Sequence, residues 1–255
     1  MAYSLVTFDG ANLPLCMPED PLSTGSVTPG LTAAAGGMFD RYAGRQVLPR
    51  ARMIPFRGRY DGSSTALRTQ IDALRAKLGK WGLLVRKRDD DAVLQSVYAR
   101  LLNVDGTWLL EDGASAMLSM DWETAEPTWR HATGSTASGS VGGNTSIVND
   151  GTAPVVDPVI TLTASGGTLV NPTMIISAIG VSLKFTGTIA NTKALVIDCG
   201  VMTVKNDGAN AYSGFSLESG HTARGWMPLT VATHTLAVAG TGSGSVGVAF
   251  TRRYF

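Results

Sequence analysis

Residues able to do covalent or metal chemistry are few here: three histidines and two cysteines in 255 residues. His131, His221 and His234 are widely spaced, and none lies in a G-x-S-x-G or H-E-x-x-H context. Nucleophilic catalysis needs a nucleophile, a base and an orienting acid within hydrogen-bond reach, and no such set occurs at motif spacing. Glu218 and His221 could share a metal, but two groups do not fill a coordination shell. Cys16 and Cys199 lack zinc spacing and allow at most one bridge, so a reducing compartment is the simpler reading. Asp121, Glu123 and Glu126 resemble the paired acids of glycoside hydrolysis, yet alternating acids on a strand more often mark its wet face. Gly242-Ser243-Gly244-Ser245-Val246-Gly247 fits the dinucleotide fingerprint letter for letter, but only eight residues follow it. The phosphate-binding helix has no room, and the run reads as a glycine-rich hairpin loop before a last strand. No catalytic residue, metal or cofactor is expected.

Binding needs less machinery than catalysis. Trp108, Trp122, Trp129 and Trp226 could stack on sugar rings, although scattered tryptophans more often pack in cores or interfaces. Trp226 is kept as a candidate sugar or partner contact. Arg41, Arg45, Arg50 and Arg52 form a basic run, continued by Arg57 and Arg59. This run is a candidate subunit interface or a lining for passing nucleic acid; the alternative is a solvated edge that discourages strand pairing. Asn144-Thr145-Ser146 fits a glycosylation sequon, which carries no weight without a secretion signal. Met1 to Val6 lacks a basic leader and reads as a first strand, and no apolar run is long enough for a membrane helix.

Positioning elements follow from composition and period. A formal charge of +1, from 21 basic and 20 acidic residues, argues against a global electrostatic partner such as duplex DNA or an anionic membrane. Residues 1–130 hold 15 Lys and Arg with 15 Asp and Glu, whereas residues 131–255 hold 6 and 5. That step, with the small polar stretch Thr133 to Asn144 read as a linker, predicts two domains, 1–132 and 133–255. In the first, Leu67, Ile71, Leu74 and Leu78 mark one helix face, with Ser64 or Thr65 at its start and Gly79 or Gly82 at its end. Strands are predicted for Tyr3 to Phe8, Met53 to Tyr60, Gly82 to Arg88, Val93 to Val104 and Ser115 to Glu123, with Asp89-Asp90-Asp91 as a turn. Residues 9–52, with five prolines, read as a long loop, which usually has a partner. In the second domain, period-2 alternation such as Val181, Leu183, Phe185 recurs between turn residues, including Asn206-Asp207-Gly208. Roughly eight short strands without helical period predict a β-sandwich or jelly roll.

Met53-Ile54-Pro55-Phe56-Arg57-Gly58-Arg59-Tyr60, the helix with Leu67, Ile71-Asp72 and Leu74, and Gly82-Leu83-Leu84 resemble the N-terminal domain of siphophage distal tail proteins. Glu126-Pro127-Thr128-Trp129 is similar to the step closing that domain. Asn149-Asp150-Gly151-Thr152, Pro158-Val159-Ile160, Asn171-Pro172, Gly187, Leu195-Val196-Ile197-Asp198 and Val204 to Gly208 resemble the family's C-terminal galectin-like sandwich. Where the family often has a Pro-Gly-x-Asn turn, this chain has Val231-Ala232-Thr233-His234. The resemblance implies a mainly β protein: a tail-tube-like β domain with one helix, then a galectin-like β-sandwich. It implies a non-enzymatic hexameric ring joining the tail tube to tape measure and tip or baseplate hub proteins. DNA would pass through the lumen unread, and the protein would sit in the virion tail tip after assembly in the host cytoplasm. Two alternatives stay open: a carbohydrate-binding adhesion module, and a tail tube subunit with a decoration domain.

Overall fold

The computed structural model describes residues 3–13, 17–18, 31–34, 37–40, 46–47, 52–61, 64–88, 93–108, 115–126, 128–218 and 226–254. The protein is mainly β, built from antiparallel sheets with a single α-helix among the described residues. It divides into two compact units. One comprises Met1–Ala33, Met38–Ala132 and Tyr254–Phe255; the other comprises Ala34–Gly37 and Thr133–Arg253.

The longer elements of the first unit are β1 (Tyr3–Phe8), β2 (Arg52–Asp61), α1 (Ser64–Arg75), β3 (Trp81–Arg88), β4 (Leu94–Trp108) and β5 (Ser115–Thr124). They form one antiparallel sheet in the order Ala11–Asn12, β1, β3, β4, β5, β2, Met17–Pro18. Alternation decides what is buried. Phe8, Leu84, Val97, Ala99, Leu101, Met120 and Trp122 point to one face, where Ile71 and Leu74 of α1 join them. Phe8 meets Trp122 edge-on at 4.7 Å, and each such side chain contributes about 1.5–3 kcal/mol by leaving water.

The helix is shorter than its apolar spacing predicts. After Arg75 the chain tightens, with Lys77 and Leu78 amides donating to the Leu74 and Arg75 carbonyls at 2.9 and 3.1 Å. Gly79 then takes φ +75° and its N–H donates to the Leu101 carbonyl at 2.9 Å. Leu78 therefore lies beyond the helix and is exposed, not part of its buried face. The predicted loop over residues 9–52 also contains short strands. Besides Ala11–Asn12 and Met17–Pro18, Leu31–Ala34, Gly37–Asp40 and Gln46–Val47 form a three-stranded sheet. Residues 89–91 of the predicted turn lie outside the described residues, although β3 and β4 on either side pair antiparallel.

The second unit is a sandwich of two six-stranded sheets. Its longer strands are β6 (Ser135–Ser140), β7 (Asn144–Asn149), β8 (Val159–Ala164), β9 (Leu169–Ile176), β10 (Val181–Phe185), β11 (Ala194–Asp198), β12 (Thr203–Asn206), β13 (Phe215–Glu218), β14 (Ala232–Thr241) and β15 (Gly244–Phe250). One sheet runs β6, β15, β8, β11, β12, Ala209–Asn210; the other runs β7, β14, β9, β10, β13, with Thr188–Ile189 on β9. Inward residues of both sheets form one core, including Ile147, Ile160, Leu162, Leu169, Leu183, Leu195, Ile197, Leu236 and Val248.

Ser135 to Ser140, read from sequence within a linker, is instead an edge strand paired along its length with β15. Serine, threonine and glycine give no apolar period, so the backbone pairing of this strand has no side-chain signature. The predicted turn at Asn206-Asp207-Gly208 is present, with Asp207 at φ +52° and Gly208 at +79°, the left-handed pair a tight hairpin requires.

Candidate functional site

The histidines do not converge. His131 ends the short strand Trp129–His131, its ring 6.2 Å from that of Tyr254. His221 lies outside the described residues. His234 is buried in β14, with Nε2 2.9 Å from the Thr230 carbonyl oxygen. A carbonyl only accepts, so Nε2 carries the hydrogen and ties the Thr230 loop to the strand.

Glu123, Glu126 and Glu218 serve as ion-pair partners. Glu123 binds Arg100 across β4 and β5, and Glu126 accepts from Arg130 Nε at 2.8 Å. Glu218 pairs with Lys184 at 3.2 Å on neighbouring strands. Among the described residues, no three His, Cys, Asp or Glu side chains lie together to hold a metal, and no helix is long and apolar enough to cross a membrane.

Cys16 lies outside the described residues, and Cys199 is buried. Burial, followed by the nearby Asp198 and Asp157 carboxylates, pushes the Cys199 thiol from its ordinary 9.0 up to about 12. The thiolate is the nucleophile, so iodoacetamide at pH 8 is expected to leave the Cys199 peptide unlabelled in the folded chain and to label it after denaturation. Peptide mass spectrometry reads this, and rapid native labelling would overturn it. The folded state holds this proton more tightly than the unfolded one. The stability this gives is therefore present below pH 9 and lost as pH rises from about 9 towards about 12.

The tryptophans are mostly structural. Trp122 is fully buried, and Trp129 lies under the Arg86 guanidinium at 3.9 Å, while Arg86 Nε donates to Gln95 Oε1 at 2.9 Å. The Trp108 side chain is outside the described ones. Trp226 is 6% exposed, with Phe215 at 4.7 Å and Tyr212 at 5.9 Å. Tyr212 is the member of this cluster that faces solvent. Arg41, Arg45 and Arg50 lie outside the described residues; Arg52 opens β2, with its side chain outside the described ones.

Gly242 to Gly247 forms the connection from β14 to β15 and the start of β15; the two strands belong to different sheets, so the segment crosses between sheets and is neither the expected hairpin loop nor a strand-to-helix loop. The glycines answer to packing: a Cβ at Gly244 would stand 2.4 Å from the Thr163 carbonyl oxygen. The sequence reading did not single out Trp81, Leu83, Leu94 and Tyr98, which lie exposed on β3 and β4. Apolar residues on consecutive positions of β3 were the available signal.

By its architecture this is a two-unit, mainly β protein with a sheet-and-helix unit preceding a sandwich. Along nearly its whole length it is similar in fold to SPP1 Dit (gp 19.1), described as a paradigm of hub adsorption apparatus in phages infecting Gram-positive bacteria. The TM-score is 0.62 at 17% identity, covering 98% of this chain and 99% of that one. Phage P2 baseplate structures in the activated conformation with Ca and with Sr align at TM-scores of 0.38 and 0.37, with 10% and 8% identity. They cover 98% of this chain and 91% of theirs. No protein-family model and no curated protein matches the sequence.

Proposed function

We propose that this chain is a structural protein of a phage tail tip, a distal tail hub. Six copies of the first unit close into a ring continuing the tail tube, and the sandwiches, galectin-like in kind, project as a platform for tip or baseplate proteins. Such a ring is heterologous and closed, so each subunit offers two different complementary surfaces. The observation that carries this reading is the fold shared with SPP1 Dit over 98% of the chain, with both units inside the match.

The tail tube and tape measure are its expected neighbours, and DNA crosses the lumen without sequence recognition. In this reading Arg41, Arg45, Arg50 and Arg52 line the lumen or a subunit contact. Supporting assembly over sugar capture, the Trp226 ring is covered by Phe215 and Tyr212.

Native mass measurement and negative-stain imaging of the purified chain test the ring. Six-subunit rings are expected, with antibody label confined to tail tips of particles. A monomer at high concentration that is absent from tail tips would overturn the proposal, and label along the whole tube would favour a tube subunit.

A further inference from the structure

β3 and β4 carry large apolar residues on both faces. Leu84, Val97, Ala99 and Leu101 face the core, while Trp81, Leu83, Leu94 and Tyr98 face outward and remain 39%, 47%, 38% and 52% exposed. A sheet with one wet face alternates apolar with polar, whereas strands covered on both sides read as near-continuous apolar runs, as Trp81-Gly82-Leu83-Leu84-Val85 does. No described residue covers this outer face.

The patch is ordered before anything docks. Leu83 lies directly opposite Tyr98 in register, and the Trp81 and Tyr98 rings stack at 5.7 Å and 9°. Arg100 sits 5.3 Å over the Trp81 ring and is held by Glu123. Side chains already fixed in this way lose little freedom on docking. An aromatic centre edged by an arginine and its counter-ion has the composition of an interface core.

We propose that this face docks a second copy of the chain, as one of the two subunit contacts of the ring; the inference rests on the ring reading above. Charge favours a copy over other occupants. With 15 basic and 15 acidic residues in positions 1–130, two first units carry no net repulsion, and a nucleic acid would find no cationic surplus. Arg100 and Glu123 neutralise each other, so covering them strands no lone charge. Area favours a closed ring over an isolated pair. The four side chains expose about 400 Å², the scale at which a patch on a monomer marks a contact. Matched by an equal area, this buries about 800 Å², near half of a standard stable interface of about 1,600 Å². Such a contact is too small to hold a pair alone, but closure of a ring holds each subunit from two sides.

The test uses the full chain and its Leu83→Glu and Tyr98→Asp variants, with the milder Tyr98→Ser alongside and exposed Lys205→Glu in the second unit as control. Circular dichroism and melting profiles are expected to match wild type, because these positions face solvent. Native mass measurement across a concentration series is expected to show rings for wild type and control. Leu83→Glu and Tyr98→Asp should require at least tenfold higher concentration, and Tyr98→Ser a smaller increase. A ring that forms equally well in all the folded variants overturns this face and leaves the ring reading standing. A wild type that stays monomeric throughout overturns both.

Discussion

A Gly242→Ala chain is expected to lose about 3 kcal/mol of stability or more, the scale of a backbone clash added to a strained conformation. Gly242 has φ +119°, where residues with a Cβ are strained. That Cβ would stand 2.0 Å from the Thr168 carbonyl oxygen, 3.1 Å from its carbon and 3.2 Å from the Leu169 Cα. All three atoms are backbone, so no rotamer change relieves the contact. Thr168 cannot retreat freely, because Leu169 opens β9 with a fully buried side chain and Val170 pairs with Thr241. Gly247→Ala is the control: a Cβ there meets nothing within 4 Å, and a change within about 0.5 kcal/mol is expected where no contact is made or lost. Urea unfolding followed by circular dichroism compares the two. Equal midpoints would show that the β14-to-β15 connection does not need glycine at 242.

That contrast explains why the dinucleotide-like spelling of this segment misleads. Gly242 and Gly244 are small because neighbouring carbonyls approach them, a requirement that arises from residues more than seventy positions away in the chain. Spacing within six letters does not distinguish such packing from a phosphate cradle. The element that follows does, and here it is the strand Gly244–Phe250.

Strong period was legible in the sequence. Val181, Leu183 and Phe185 alternate inward as expected, and Ile71 and Leu74 turn to the core. What lacked a period was misread. β6 is held by backbone pairing to β15 and shows only small residues. Leu78 kept helix spacing, but the chain had already left the helix after Arg75 on its way to the turn at Gly79, whose amide bonds a β4 carbonyl distant in sequence. The candidate surfaces were the least legible. Trp226 looks free in sequence because the rings that cover it, Tyr212 and Phe215, belong to a different segment. Trp81 and Tyr98 gain their meaning from the β3–β4 register, which stacks them across two strands.

Replacing Asn149 is expected to unfasten the sandwich nearly as severely as the glycine change, by removing polar contacts in place of adding a clash. Its buried amide Nδ2 donates to the carbonyls of Ala153, Leu229 and Thr230 at 3.3, 3.0 and 3.1 Å, while Oδ1 accepts from the Gly151 amide at 3.3 Å. One side chain therefore links the turn after β7 to the segment entering β14, where Thr230 also receives His234 Nε2–H. Asn149→Leu keeps the branched heavy-atom framework, though with larger methyl groups, and removes every one of these bonds, at a cost of about 2–3 kcal/mol, since buried polar groups lose partners. Asn149→Asp is more informative. A carboxylate has no hydrogen to donate and would face three carbonyl oxygens, so burial and those dipoles raise its carboxyl above the ordinary carboxylate range. The folded variant then holds its proton more tightly than the unfolded chain does. Its deficit relative to wild type should be smallest below the ordinary carboxylate range and grow as pH rises through it. Urea midpoints of Asn149→Asp and wild type at pH 4 and pH 8 measure that difference. A gap that does not widen with pH would mean the three carbonyls are satisfied without the amide, and that the turn is held by its backbone alone.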